Sequence, residues 1–110
     1  MTVSTLVDPI LQELAIEVDS NTHIDNFLLA ANVPKSITKP SGAKYAMISA
    51  DGGFFADYDA TANTGGTDFA DGTGSEYIGG WLPAHRQVGK VTTISVAATA
   101  ARKISVVWKI

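Results

Sequence analysis

The sequence predicts an all-β domain, a small antiparallel β-sandwich or barrel of jelly-roll-like form, preceded by an N-terminal helix or extended arm. Three observations carry that reading. Beyond residue 20 the chain breaks into short apolar runs rich in β-branched and aromatic residues. Clusters of Gly, Pro, Asn and Asp punctuate these runs at tight-turn spacing. The chain has 110 residues, 45% of them apolar, with no cysteine, so one core must hold by packing or by association. We expect two parts: residues 1–20 as the arm or helix, and residues 21–110 as the sandwich.

The first part opens on Asp8-Pro9, a helix-start signal, followed by Ile10, Leu11, Leu14, Ala15 and Val18 on one helical face. Residues 14–18 also alternate at strand period, so helix and extended arm are both open at this point. Either form has an apolar face to bury, and in an assembling protein a neighbouring subunit is a common place for it.

Asp19-Ser20-Asn21 marks the change of texture. Residues 24–31, 35–38, 43–49, 54–58, 92–97 and 103–110 then read as strands. Asn32-Val33-Pro34, Lys39-Pro40-Ser41-Gly42 and Asp51-Gly52-Gly53 sit where turns would join antiparallel neighbours, the last as a hairpin between residues 47–49 and 54–56. Ile104, Val106 and Trp108 alternate with Ser105 and Val107, which places one face of the last strand in the core. The Ala-rich stretch at 97–101 is expected to join it to the preceding strand as an antiparallel neighbour. Residues 61–80 contain few core-forming side chains and read as a long loop, either functional or ordered by a partner.

Charge is unevenly distributed. Residues 1–78 hold all 11 acids against three cations, and residues 79–110 hold five cations and no acid, giving −8 and +5. That polarity suits docking onto protein surfaces. The overall acidity, pI about 5.1, argues against nucleic acid as a partner. The apolar runs are too short to cross a bilayer, and the first residues lack the pattern of a signal peptide, so no membrane partner is expected and synthesis is placed in the cytoplasm.

No residue constellation identifies a reaction. Asp51, Asp57, Asp59, Asp68 and Asp71 carry oxygen ligands suited to Ca²⁺, but their spacing does not match a twelve-residue calcium loop, and Asp is common in turns for its own hydrogen bonds. His23 and His85 lack a nearby nucleophile or second ligand. Gly72-Thr73-Gly74 has the glycines of a phosphate-cradling loop without the following lysine. The expectation is therefore no enzyme, no catalytic residue, no metal and no cofactor. Tyr77 and Trp81, flanking Gly79-Gly80, are candidates for an aromatic platform, although Trp81 is expected to be buried as a core plug at a loop end.

Pro40-Ser41-Gly42-Ala43-Lys44-Tyr45, then Phe54-Phe55-Ala56-Asp57-Tyr58, Asp71-Gly72-Thr73-Gly74-Ser75-Glu76 and Val91-Thr92-Thr93-Ile94-Ser95-Val96 follow one another in an order that resembles small β-rich virion structural proteins of tailed bacteriophages. Those proteins carry a PxGAKY strand, an FxAxY strand, a DGTxSE loop and a closing VTxISV element. The resemblance spans residues 24–110. Where such patterns continue with Leu-Asn-Pro, this chain has Tyr77-Ile78-Gly79-Gly80-Trp81-Leu82-Pro83.

The resemblance implies a capsid decoration or cement protein on the virion surface, a homotrimer whose partner is the major capsid protein. The protein contacts expected on this reading are Leu11 and Leu14 of the N-terminal face, Asp68, Asp71, Glu76 and Tyr77 of the acidic loop, and Arg86 and Lys90 of the basic end. A protein of the tail or head–tail junction, or a glycan- or receptor-binding module using Tyr77 and Trp81, are the alternatives.

Overall fold

The structure, a computed structural model, describes residues 22–64 and 71–110. These form two four-stranded antiparallel sheets packed face to face, with no helix among the described residues. In chain order the strands are β1 (Thr22–Leu29), β2 (Lys35–Thr38), β3 (Tyr45–Ala50), β4 (Phe54–Tyr58), β5 (Glu76–Ile78), β6 (Ala84–Gln87), β7 (Thr93–Ala97) and β8 (Arg102–Lys109). One sheet runs β1-β8-β3-β6 and the other β2-β7-β4-β5.

The pairings explain that order. β1 pairs with β8, β2 with β7, β3 with β6 and β4 with β5, as if the whole chain were one long hairpin closed at β4–β5. Rolling that hairpin up lets β3 also take β8, and β4 also take β7. This is the winding of a jelly roll. The jelly-roll-like sandwich expected from the sequence is therefore the fold of the described residues, while the N-terminal arm or helix lies outside them.

Two expectations about connections are corrected. The turn at Asp51-Gly52-Gly53 does not make a hairpin, because β3 and β4 belong to different sheets, and β7 and β8 are likewise on opposite sheets. The turns after β1 and after β2 also carry the chain from one sheet to the other, so β4–β5 is the one sequential pair that stays within a sheet. Turn residues fix where a chain reverses; the faces that strands must bury decide whether the two arms bond to each other or face each other. β5 and β6 were not anticipated either. They are edge strands of three and four residues, Glu76-Tyr77-Ile78 and Ala84-His85-Arg86-Gln87, too short and too polar to announce themselves.

The core lies between the sheets. Ile48, Val106 and Trp108 come from one side and Phe54, Ile94 and Val96 from the other, all fully buried, and each large apolar side chain contributes about 1.5–3 kcal/mol by leaving water. Trp108 sits on β8, between β1 and β3, and its indole N–H is donated to Asp25 Oδ2 at 2.7 Å.

Polar side chains span the two sides of the sandwich from sheet to sheet. The Lys35 ammonium on β2 lies 5.1 Å from the centroid of the Phe27 ring on β1. On the other side, Glu76 of β5 accepts from Arg86 of β6.

Part of the long β4–β5 connection is fixed over the outward side of β7. Asp59, at φ 56°, accepts the N–H groups of Thr92 and Thr93 at 2.8 and 2.9 Å. Ala62 donates its N–H to Ser95 Oγ at 2.9 Å, which accounts for the burial of Ser95 at an outward position of its strand.

Candidate functional site

The β5–β6 region builds the most distinctive surface among the described residues. Strand alternation in β5 sends Ile78 into the core and Tyr77 outward, where its ring meets Phe55 of β4 at 5.1 Å between centroids, tilted by 58°. The Tyr77 hydroxyl occupies the space a side chain at position 53 would fill, so Gly53 is what admits it.

Gly80 then turns the chain. It is buried at φ 96°, its backbone pressed against that of Gly52, and its carbonyl accepts the N–H of Ala50 at 3.1 Å. The next two side chains leave the surface. Trp81 is 82% exposed, Leu82 73% and Tyr77 64%. The expectation that Trp81 plugs the core is thus overturned: Trp108 holds that place, and Gly80, anchored to the β3–β4 turn, directs Trp81 away. Arg102 steadies the same turn by donating Nε–H to Gly53 O at 3.0 Å. Three large, mostly apolar side chains are thus exposed within six consecutive residues of the chain.

A polar triad links β4, β5 and β6. Arg86 donates Nε–H to Glu76 Oε1 at 3.1 Å and a second bond from Nη2 to Oε2, a bidentate grip, while Tyr58 donates its hydroxyl to Glu76 Oε1 at 2.6 Å. Burial, reinforced by the Glu76 carboxylate, pushes the Tyr58 phenol up to about 12. The Arg86 hydrogen bonds hold Glu76 below the usual carboxylate range.

The two shifts set opposite limbs of a pH profile. The folded Glu76 binds its proton less tightly than the unfolded one, so its contribution is present above the unfolded pKa and disappears as pH falls through the folded value. Tyr58 holds its proton more tightly when folded, so its contribution is complete below its ordinary value of 10.0 and is lost as pH rises toward about 12. Glu76→Gln should flatten the acid limb and cost about 1 kcal/mol at neutral pH, the modest figure proper to an ion pair about one-third exposed on each side. Tyr58→Phe should remove the alkaline limb and, because its hydroxyl also helps to hold Glu76 low, weaken the acid limb without abolishing it, since the Arg86 hydrogen bonds remain. Urea unfolding between pH 3 and pH 11 separates them, and unchanged limbs would refute the assignment.

The anticipated contact residues meet different fates. Glu76 and Arg86, assigned to opposite charged ends, bind each other, whereas Tyr77 faces solvent. Asp71 accepts the Thr73 N–H and hydroxyl at 3.1 and 2.6 Å, fixing its own turn, and Lys90 lies exposed in the β6–β7 connection. Leu11, Leu14 and Asp68 lie outside the described residues.

Asp51 and Asp57, two of the carboxylates weighed as calcium ligands, accept hydrogen bonds from other residues of the chain. Asp51 accepts the Lys103 N–H at 3.1 Å, and Asp57 accepts the Tyr58 N–H at 2.9 Å and the Ser75 hydroxyl at 3.2 Å. Among the described residues no three His, Cys, Asp or Glu side chains come together in a way that could hold a metal ion.

Leu82 was missed by the sequence reading. Its signal was present in the Gly79-Gly80 pair before Trp81 and in Pro83 after Leu82, the punctuation of a loop tip. No protein-family model matches the chain, and none of the curated proteins or solved structures compared with it is significantly similar.

Proposed function

We propose that this protein is a virion structural protein of a tailed bacteriophage, a capsid decoration or cement protein that docks on the major capsid protein as a homotrimer. The observation that carries the reading is the exposure of Tyr77, Trp81 and Leu82, three large and mostly apolar side chains within six residues of one another along the chain. Aromatic anchors of this kind dominate interface energetics when a partner covers them, and a protein that binds the assembled shell but not its separated subunits stabilises the shell by mass action. The order of motifs from residue 40 to residue 96 supports the virion assignment. Jelly rolls recur in viral capsid and lectin domains, which is an analogy of scaffold and carries no site with it.

Exposure of Trp81 also favours a second reading, in which it and Tyr77 stack on a host surface glycan. Saturation binding of the purified protein to capsids that lack it distinguishes the two. A copy number simply related to that of the capsomers is expected, and Trp81→Ala should weaken capsid binding by about 2 kcal/mol, close to thirtyfold, with unfolding unchanged. A few copies per particle would move the protein to the tail or portal. Absence of capsid binding, together with a Trp81-dependent fluorescence change on adding host polysaccharide, would replace decoration with glycan recognition.

A further inference from the structure

The β1-β8-β3-β6 sheet carries an open depression of about 570 Å³ at the end next to the β3–β4 turn, and Asn26, Leu28, Ser49, Asp51, Lys103 and Ser105 line it. That size lies within the range of small-molecule sites, about 300–1,000 Å³. Register explains how it is built. Asn26 of β1 lies beside Ser105 of β8, and Ser105 beside Ser49 of β3, so three polar residues cross three neighbouring strands in one row. They alternate with Ile48 and Ile104, which are buried in the core, so the row faces outward. At about 4.8 Å per strand it is roughly 10 Å long. In the adjoining row Leu28 lies beside Lys103, and Leu28 is 74% exposed, an apolar wall to the depression.

Asp51 closes one end. It accepts the Lys103 N–H through Oδ1 at 3.1 Å and donates its own N–H to the Lys103 carbonyl at 3.3 Å, so an acidic and a basic residue are fixed to each other through the backbone. Elsewhere in the molecule Asp59, Ser75 and Ser95 spend their side-chain hydrogen bonds on the chain itself. Among the described residues the Asn26 amide, the Ser49 and Ser105 hydroxyls and the Lys103 ammonium do not. The depression therefore holds donors and acceptors that a ligand can take up.

The mixture of groups selects a ligand class. An ion of either sign is poorly matched, because Asp51 and Lys103 adjoin and offset each other. A wholly apolar ligand would strip water from the polar row without replacing its hydrogen bonds. A neutral ring rich in hydroxyls meets every feature: hydroxyls both donate and accept along the row, and a face of C–H groups packs on Leu28. The geometry points to a saccharide-binding site on this sheet, with neutral sugar rings lying along Asn26, Ser105 and Ser49, and Asp51 and Lys103 at one end. It uses neither Tyr77 nor Trp81, so it stands apart from both readings of that loop.

Titration of the full chain with maltose, cellobiose and lactose, followed by backbone amide chemical shifts, tests the site. Saturable shifts centred on Asn26, Ser49, Lys103 and Ser105 are expected with at least one of these sugars, and glucuronic acid should bind no more tightly than glucose. Ser105→Val should weaken binding roughly tenfold by removing the central hydroxyl, whereas Trp81→Ala should leave it unchanged. Asn26→Leu, at an exposed position on an edge strand, should weaken it severalfold and carries the test if Ser105→Val fails to fold. Absence of saturable shifts with all of the sugars, shifts centred on Tyr77 and Trp81, tighter binding of glucuronic acid than of glucose, or undiminished binding in the folded variants would each overturn the inference.

Discussion

Replacing Trp108 by alanine is expected to lower the unfolding free energy by about 3–5 kcal/mol, a large part of the 5–15 kcal/mol typical of a whole domain. The indole is fully buried on a strand hydrogen-bonded on both sides, so β8 cannot move inward to fill the space. Its direct cross-strand neighbours on that face are Ala46 and His23, one too small to swing into the cavity and the other engaged with Asp25. The substitution also removes the N–H donated to Asp25 Oδ2, although Asp25 remains about one-third exposed and can take water in its place. Trp108→Phe isolates that second effect, since it keeps most of the volume and loses the donor, and about 1–2 kcal/mol is expected. Urea unfolding followed by far-ultraviolet circular dichroism measures both. A loss below about 1 kcal/mol for Trp108→Ala would mean that the sandwich does not depend on this plug.

Trp108 was also the residue whose role was plainest in the sequence, because strict alternation with Ser105 and Val107 leaves one face for the core. In β4 the structure buries Phe54 and Ala56 and leaves Phe55 half-buried, an alternation that the run Phe54-Phe55-Ala56 does not display in sequence. Alternation reports the face of a strand but not its sheet. In a jelly roll most successive strands cross from sheet to sheet, and a turn such as Asp51-Gly52-Gly53 has the residues of a hairpin whether the chain pairs or crosses. β5 and β6 were invisible for a different reason: three or four residues hold too little pattern, and their pairing comes from neighbours far along the chain.

The charge asymmetry was read correctly as composition and differently as geometry. Rolling an eight-strand hairpin lays the acidic early part of the chain on the basic late part, so β1 runs beside β8 and β3 beside β6. Glu76 thereby meets Arg86, and Asp51 meets the backbone of Lys103. What looked like two charged ends becomes, within the described residues, a set of local contacts. The apolar exposure at Trp81 and Leu82 is a feature that composition does not register.

The placement of that exposed loop depends on one glycine, and Gly80→Ala is expected to destabilise the fold by about 2–6 kcal/mol while displacing Trp81. Two costs combine. At φ 96° an alanine enters a sparsely populated backbone region, worth about 1–3 kcal/mol. Its Cβ would also lie 2.1 Å from the carbonyl oxygen of Gly52 and 2.5 Å from the carbonyl carbon. Both are backbone atoms in a turn held by Arg102, so relief requires the β3–β4 connection or the Ala50–Gly80 hydrogen bond to give way, and overpacking of this kind adds about 1–3 kcal/mol. Two other glycines separate the contributions. Gly72 has φ 93° with open space around its missing Cβ, so Gly72→Ala should carry the backbone cost alone; Gly79 has neither feature, and Gly79→Ala should be close to neutral. Denaturant midpoints should therefore fall in the order Gly79, Gly72, Gly80. Equal losses at positions 72 and 80 would show that the Gly52 contact exerts no constraint. If the order holds, binding should follow it more steeply than stability does, because shifting Gly80 moves the contact residue as well as straining the frame.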